Sequence, residues 1–163
     1  MSTPTAVHVA DVDFATVDAG STAARLAMSN YFAELDQRLA GGFRSGTALD
    51  DAATAFNPPA GMFVIATVDD ALVACGAISW LDDETGEVKR MWVDSTVRGV
   101  GLGTRLLHHL EGEVRATGRT RVVLDTNEAL VEAIALYHRL GYRDIEPYND
   151  NPHAHHWFEK SLR

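Results

Sequence analysis

Three glycines and an arginine in the segment Arg98-Gly-Val-Gly-Leu-Gly103 have the types and spacing that bind an anion. The segment leads into a helical pattern, whose apolar residues are Leu102, Leu106, Leu107, Leu110 and Val114. Backbone N–H groups at a helix start have no partner within the helix and lie at the positive end of its dipole, so they attract anions. Glycine leaves that backbone open to an anion, and the planar guanidinium of Arg98 suits phosphate. The spacing therefore predicts a phosphate site at the start of this helix.

Two common phosphate-binding loops do not match this segment. A P-loop ends in Gly-Lys-Ser/Thr, and no lysine follows Gly103. The dinucleotide pattern Gly-x-Gly-x-x-Gly, counted from Gly99, requires a glycine where Thr104 stands. The pattern that remains is Arg-x-x-Gly-x-Gly. These residues also leave open a tight strand-to-helix turn that binds no ligand.

The elements before this loop begin with an alternating stretch at residues 7–12, which predicts a first strand. Ser21 is a candidate cap for a helix that extends to residue 39 and stops at Gly41-Gly42. Residues 41–61 are rich in Gly, Ala, Asp and Pro and can hold a short helix near residues 49–56. This segment is interpreted equally well as a substrate lid or as a connecting loop. Strands of an antiparallel meander are then predicted at residues 62–67, 72–80 and 87–93.

The elements after the loop complete an α+β pattern. Residues 120–125 predict a buried strand, and Asn127 can cap a helix over residues 128–140. Two closing strands are predicted at residues 142–148 and 155–162. The order β-α(α)-β-β-β-α-β-α-β-β is not a regular βαβ alternation. It predicts a mixed, mostly antiparallel central sheet flanked by helices.

Composition excludes several classes of protein. The 163 residues are expected to form a single domain, 1–163, with residues 1–6 as a loose tail. The net charge of -9 argues against a nucleic-acid partner. We expect no signal peptide and no membrane span, and a lone cysteine, Cys75, in an apolar run fits a buried thiol and a cytoplasmic protein. His153, His155 and His156 lack the companion ligands of a zinc site, so no metal is predicted.

Two blocks of this sequence resemble the GNAT superfamily of N-acetyltransferases. The first is the Arg-x-x-Gly-x-Gly loop, which is similar to the loop that binds the pyrophosphate of acetyl-CoA in that superfamily. The second joins Leu124-Asp-Thr-Asn127 to Ala135-Leu-Tyr137 and Gly141-Tyr142. Both blocks stand in the order typical of the superfamily, and the predicted strand order resembles the GNAT fold. Ser95 departs from the proline that many members carry there, and the C-terminal segment resembles a bacterial subgroup of unassigned substrate.

The resemblance implies acetyl-CoA as the co-substrate. The main chain at residues 91–93 would pair with the pantetheine arm in a gap between two splayed strands. The N–H groups of residues 100–104, helped by Arg98, would hold the pyrophosphate, and Asn127 would contact the pantetheine. The residues that the resemblance implies for the cofactor site are Met91, Trp92, Val93, Arg98, Gly99, Val100, Gly101, Leu102, Gly103, Thr104 and Asn127.

The resemblance also implies catalytic and acceptor residues. Tyr137 would give a proton to the departing thiolate, although periodicity alone makes it a core aromatic. Glu87 is the candidate base, and a solvated glutamate after a turn is its alternative. Simple alternation places Glu87 on one face with Met91, and a bulge in the strand would change that phase. Tyr31 and Phe32, with Glu34 and Arg38, would line the acceptor pocket, and packing or solvent exposure is the alternative for them.

We therefore expect an acetyl-CoA-dependent N-acetyltransferase that acts on a primary amine of a small molecule by direct attack in a ternary complex. Acetylation of a protein N-terminus or lysine is one alternative. A non-catalytic acyl-CoA-binding regulatory module is another, from a different class. No membrane partner is expected, and a homodimer is suggested only by analogy with relatives.

Overall fold

A computed structural model of the chain describes residues 11–163. The strands are β1 (Asp13–Val17), β2 (Gly61–Val68), β3 (Ala71–Trp80), β4 (Thr85–Val93), β5 (Arg121–Thr126), β6 (Arg143–Ile145) and β7 (His156–Ser161). The helices are α1 (Thr22–Arg38), α2 (Ala48–Ala55), α3 (Leu102–Ala116) and α4 (Val131–Arg139). The predicted order of elements is confirmed.

The first strand differs from its prediction. Most of residues 7–12 lie outside the described part of the chain, and β1 begins only at Asp13. The partner strand decides these bounds, because β2 pairs with β1 from Asp13 opposite Thr67 to Val17 opposite Phe63. Pairing, which alternation alone does not specify, therefore places the strand later in the chain.

The predicted cap of α1 is confirmed and that of α4 is wrong. The Ser21 hydroxyl accepts a hydrogen bond from Ala24 N–H at 3.2 Å and caps α1. The Asn127 side chain instead accepts from Ala129 N–H at 2.9 Å, and Asn127 C=O accepts from Leu130 N–H at 3.0 Å. These bonds close a turn, so α4 begins three residues later than predicted.

The seven strands of residues 11–163 form one sheet, in the order β1-β2-β3-β4-β5-β7-β6. The pair β4 and β5 is parallel and every other pair is antiparallel. The parallel pairing extends only from Thr85 opposite Arg121 to Glu87 opposite Val123. The rest of β4 and of β5 therefore diverge, as the resemblance implied, and leave a gap in the middle of the sheet.

A β-bulge interrupts β4 next to this gap. Cys75 pairs with Trp92 and Ala77 pairs with Lys89, so two residues of β4 lie opposite Gly76 alone. Arg90, one of the two, has a positive φ of 56°. Simple alternation along β4 is therefore wrong and the bulge that was weighed against it is confirmed.

Helices cover both faces of the sheet. On one face, α3 and α4 pack against a cluster that includes Leu106, Leu110 and Phe158. On the other face, α1 and α2 pack against a cluster that includes Met28, Phe63 and Trp92. Within residues 11–163, no helix is both long enough and apolar enough to cross a membrane.

Candidate active site

The gap between β4 and β5 opens into a cavity of about 580 Å³. We call it the larger cavity. Its wall comes from the end of β4, the glycine loop, and facing side chains of α1 and α4. Residues predicted for the cofactor that line it are Met91, Trp92, Val93, Arg98, Gly99, Gly101, Leu102, Gly103 and Thr104. The structure thus brings together nine of the eleven residues that the resemblance implied.

The glycine loop turns into α3 through backbone conformations that favour glycine. Gly99 has φ 84°, and Gly101, which caps α3, has φ 82°. The N–H groups of the first helical residues, Leu102 to Thr104, have no acceptor in the helix and lie beside the larger cavity. Val100 is exposed and is absent from this wall. The loop therefore has the form of an anion site.

Arg98 lies in the wall, but its guanidinium has protein partners. It donates to Val93 C=O from Nε at 3.1 Å and from Nη2 at 3.0 Å, and it forms an ion pair with Glu34. Arg38 is 3.7 Å from Glu34 and 2.6 Å from Glu132 of α4. Arg98, Glu34, Arg38 and Glu132 therefore form a chain of charges between the glycine loop, α1 and α4, and all four line the larger cavity. We call this chain of charges the ionic bridge.

A second cavity of about 310 Å³, the smaller cavity, lies on the other side of the same gap. Six residues line both cavities: Tyr31, Leu35, Met91, Leu130, Ala133 and Tyr137. Asp125, Thr126 and Asn127 contribute the end of β5, while Phe43 and His153 contribute loops. The shared residues form a junction at which a molecule in one cavity can meet a molecule in the other.

Two tyrosine hydroxyls are available at this junction. Neither Tyr137 nor Tyr31 donates a hydrogen bond from its hydroxyl to any of residues 11–163, and neither hydroxyl is among the fully buried atoms that lack a partner. Burial raises the pKa of Tyr137 well above its usual value and raises the pKa of Tyr31 to about 12. Both phenols are therefore protonated at neutral pH and able to donate a hydrogen bond.

Glu87 lies in neither cavity wall. Its side chain is buried, accepts a hydrogen bond from the Tyr148 hydroxyl at 2.7 Å and lies 3.5 Å from Lys89 Nζ. The physical reason is its place in the sheet, because Glu87 pairs with Val123 in the part of β4 that is still joined to β5, before the gap opens. The structure does not bring Glu87 to the junction, and we assign it no role in proton removal.

Two further predicted residues lie beside the cavities with side chains already engaged. Phe32 is buried behind the wall, where its ring stacks on Phe43 at 5.4 Å. Asn127 lines the smaller cavity, but its amide donates to His153 C=O at 2.7 Å and accepts from Ala129 N–H. Both side chains hold the wall in place.

Arg90 and Asp125 line the smaller cavity and were missed from the sequence. The sequence contained a feature that could have indicated each of these two residues. Simple alternation would put the cation of Arg90 on the same face as Val88 and Trp92, which are buried. Asp125 ends a buried strand within the second matched block, at the edge where the sheet opens.

The segment at residues 41–61 is only partly at the site. Ala52 and Phe56 pack in the core, which makes α2 part of the fold, while Phe43 reaches the smaller cavity. Cys75 is fully buried, donates to Arg90 C=O at 3.2 Å, and has its pKa raised by burial. A thiol in that state does not serve as a nucleophile.

Among the histidines considered for a metal, His155 Nδ1 accepts from Glu128 N–H at 3.1 Å and His156 stacks on Phe158. Within residues 11–163, no three side chains of His, Cys, Asp or Glu are grouped as metal ligands.

Comparison with known protein families identifies the family to which this chain belongs. Residues 28–142 match the model of the acetyltransferase (GNAT) family. The chain belongs to the GNAT family. The matched residues contain the glycine loop, both sides of the gap and the junction tyrosines. The GNAT resemblance seen in the two sequence blocks is therefore confirmed.

Relatives with this GNAT fold differ widely in sequence. The chain is 42% identical over 88 residues to an "IAA acetyltransferase" of Azospirillum brasilense, covering 53% of the chain and 57% of the relative. It thus spans just over half the length of that curated relative. A GNAT acetyltransferase structure from Staphylococcus aureus is similar with a TM-score of 0.79 at 15% identity, covering 93% of the chain and 99% of that structure. A GNAT acetyltransferase from Elizabethkingia anophelis with acetyl-CoA bound gives a TM-score of 0.70 at 17% identity, with 93% and 99% covered.

Proposed function

We propose that this protein is an acetyl-CoA-dependent N-acetyltransferase that acetylates a primary amine of a small molecule by direct attack in a ternary complex. The observation that carries the proposal is the junction, where the Tyr137 hydroxyl lies between a cavity that ends in an anion site and a second, smaller cavity. Acetyl-CoA supplies an acetyl group activated as a thioester. Everything else in the reaction falls to residues of this chain.

The chemistry of the larger cavity suits coenzyme A. The N–H groups of Leu102, Gly103 and Thr104 point toward an anion and suit a pyrophosphate. Val93 turns its N–H toward the gap, because Asp94 N–H donates to Val73 C=O and alternate residues of an antiparallel strand face opposite edges. The N–H of Val93 can therefore bind an amide carbonyl of the pantetheine arm. The C=O of Val93 already accepts a hydrogen bond from Arg98.

The junction suits transfer from a thioester to an amine. The C–N bond forms as the C–S bond breaks, the thiolate gains a proton and the amine loses one. Backbone N–H groups of β4 beyond the bulge provide donors for the negative charge that develops on the carbonyl oxygen. The protonated Tyr137 donates to the sulfur as it departs. The proton of the amine passes to water. A peptide α-amine has a pKa near 8 and a lysine-type amine a pKa near 10.4, so the first needs little help from a base.

The size of the smaller cavity favours a small acceptor. About 310 Å³ holds a metabolite rather than a folded protein surface. Acetylation of a protein N-terminus would need an extended groove for the following residues. A non-catalytic acyl-CoA-binding module is disfavoured because it has no need of a hydroxyl held at the junction without a partner among residues 11–163.

The first test is calorimetric titration of the protein with acetyl-CoA and with coenzyme A. We expect micromolar binding in the wild type and at least a roughly 30-fold loss in Thr104→Glu. A carboxylate at the third position of α3 stabilises the helix yet repels the pyrophosphate, so this variant should fold normally. His108→Glu is the matched control, because the residue is exposed, lies outside both cavity walls and gains the same charge.

Turnover is measured next, as thiol release from acetyl-CoA in the presence of small primary amines. Release that depends on an amine supports the proposed transfer. Binding without release for any amine class would leave the acyl-CoA-binding module as the better interpretation. Failure of the folded wild type to bind coenzyme A would reject both.

A further inference from the structure

The guanidinium of Arg90 is a half-buried cation with no hydrogen-bond or ion-pair partner among the described residues. Its Nε is fully buried and has no hydrogen-bond partner, and no ion pair involves Arg90 within residues 11–163. The rings of Phe32 and Phe56 lie 5.3 and 5.6 Å from its Cζ. A charge that is partly removed from water is costly unless it is paired, and aromatic faces compensate only in part. The position of Arg90 in the wall of the smaller cavity therefore points to a ligand.

Arg90 reaches this position through an unfavourable backbone conformation. The residue lies in the β-bulge of β4 with φ 56°, a conformation that few residues other than glycine adopt. A bulge redirects a side chain, and conformations of this kind concentrate at functional sites. Phe32, which the sequence placed in the acceptor pocket, instead supports the guanidinium from behind.

The other ionisable groups of the smaller cavity are engaged differently. Lys89 is paired with Glu87 at 3.5 Å. Asp125 accepts hydrogen bonds from two neutral amides, Asn149 at 2.6 Å and Asn151 at 3.2 Å. The wall therefore presents one cation and one carboxylate that have no oppositely charged partner within residues 11–163.

We propose that the acceptor is an amine that also carries a carboxylate, of the amino-acid class. This inference rests on the proposed function and specifies its substrate. The carboxylate binds the two-pronged guanidinium of Arg90, a pairing that is strong and directional. The ammonium group faces Asp125 before it loses its proton and attacks at the junction. A cavity of about 310 Å³ accommodates molecules of that size.

Matched pairs of acceptors test this proposal. Thiol release from acetyl-CoA is measured with the common L-amino acids and with the amide of each, which keeps the amine and the side chain but lacks the charge. The wild type is expected to prefer the best amino acid over its amide by about 100-fold in kcat/KM, the size expected for a charge-assisted bidentate pair.

Variants of Arg90 identify the group responsible. Arg90→Gln should lower kcat/KM for the amino acid by about 10- to 100-fold, change that for the amide by less than about 3-fold, and leave the Kd for acetyl-CoA unchanged. Arg44→Gln, the same change at an exposed arginine outside both cavity walls, is the matched control and should retain the preference. Arg90→Lys, which keeps the charge, should retain part of the preference for the amino acid over its amide. This variant replaces Arg90→Gln in the test if the glutamine variant does not fold.

The outcomes separate this inference from the proposed function. Equal turnover of acids and amides, or an equal loss of both in Arg90→Gln, would overturn the carboxylate assignment while the acetyltransferase stands. Absence of thiol release with every amine, in a protein that binds acetyl-CoA, would reject the function and this inference together.

Discussion

At the junction of the two cavities, one phenol must be assigned to the departing sulfur. Tyr137 and Tyr31 both line both cavities, and burial raises the pKa of each. Tyr137 belongs to the sequence block that resembles the family, whereas Tyr31 lies on α1. A phenol with a raised pKa remains protonated, so its part is that of a hydrogen-bond donor over the whole neutral range.

Exchange of each tyrosine for phenylalanine separates the two. Tyr137→Phe should lower kcat by about 100-fold, since a positioned proton donor contributes roughly that much, with less than about a 3-fold change in the Kd for coenzyme A. Tyr31→Phe, which removes the other hydroxyl and keeps the ring, should change kcat by less than about 3-fold. Steady-state kinetics and calorimetry measure both. The reverse pattern would assign the donor to Tyr31.

At the scale of elements, the ionic bridge connects α1, α4 and the glycine loop across the larger cavity. Arg98, the residue expected to assist the pyrophosphate, is paired with Glu34. A phosphate that reaches Arg98 must therefore compete with this carboxylate. Glu34 is partly buried, so the competition is less screened by salt than at an open surface.

Removal of the Glu34 charge should therefore tighten coenzyme A binding. We expect Glu34→Gln to lower the Kd by about 3- to 10-fold at low ionic strength, with a smaller difference as salt rises. Glu113→Gln on α3, outside both cavity walls, is the control and should leave the Kd unchanged. Calorimetry at two salt concentrations provides the measurement. Weaker binding in Glu34→Gln would mean that Glu34 holds Arg98 in its binding position.

At the scale of the whole molecule, all four tyrosines of the chain have a raised pKa, with burial as the largest cause. Tyr142 also donates to the buried Glu111 at 2.7 Å, and Tyr148 donates to Glu87 at 2.7 Å. A group whose pKa is higher in the folded state holds its proton more tightly there. Its contribution to stability is complete below its unfolded pKa, near 10, and is lost as pH rises above that value.

The protein should therefore unfold cooperatively in alkali. Above pH 10 the free energy of unfolding is expected to fall by about 1.4 kcal/mol per pH unit for each tyrosine, up to the folded pKa, which for Tyr31 is about 12. Phenolate absorbance and far-UV circular dichroism, followed together, should change in one transition. The denatured chain should titrate normally near pH 10. Phenolate absorbance that appears near pH 10 with the circular dichroism intact would contradict this account.

Local patterns in the sequence determined the elements and the glycine loop. The Ser21 cap, the helical stripe of α3 and the glycines that adopt positive φ depend on nearby residues, so they could be predicted without the fold. The same holds for the order of helices and strands along the chain. Family membership followed from two local blocks and is confirmed by the match over residues 28–142.

Only the tertiary structure decided which side chains meet in the gap. The bulge in β4 changes the phase of the strand beside the gap and places Arg90 in the wall of the smaller cavity, while Glu87 lies in the part of β4 that is still paired with β5. Asp125 and Tyr137 lie together there because β4 and β5 separate after three pairs of residues. Side-chain direction in a strand depends on register, and register depends on partners distant in the chain. Local patterns could therefore mark single residues such as Tyr137, but could not show that these side chains meet.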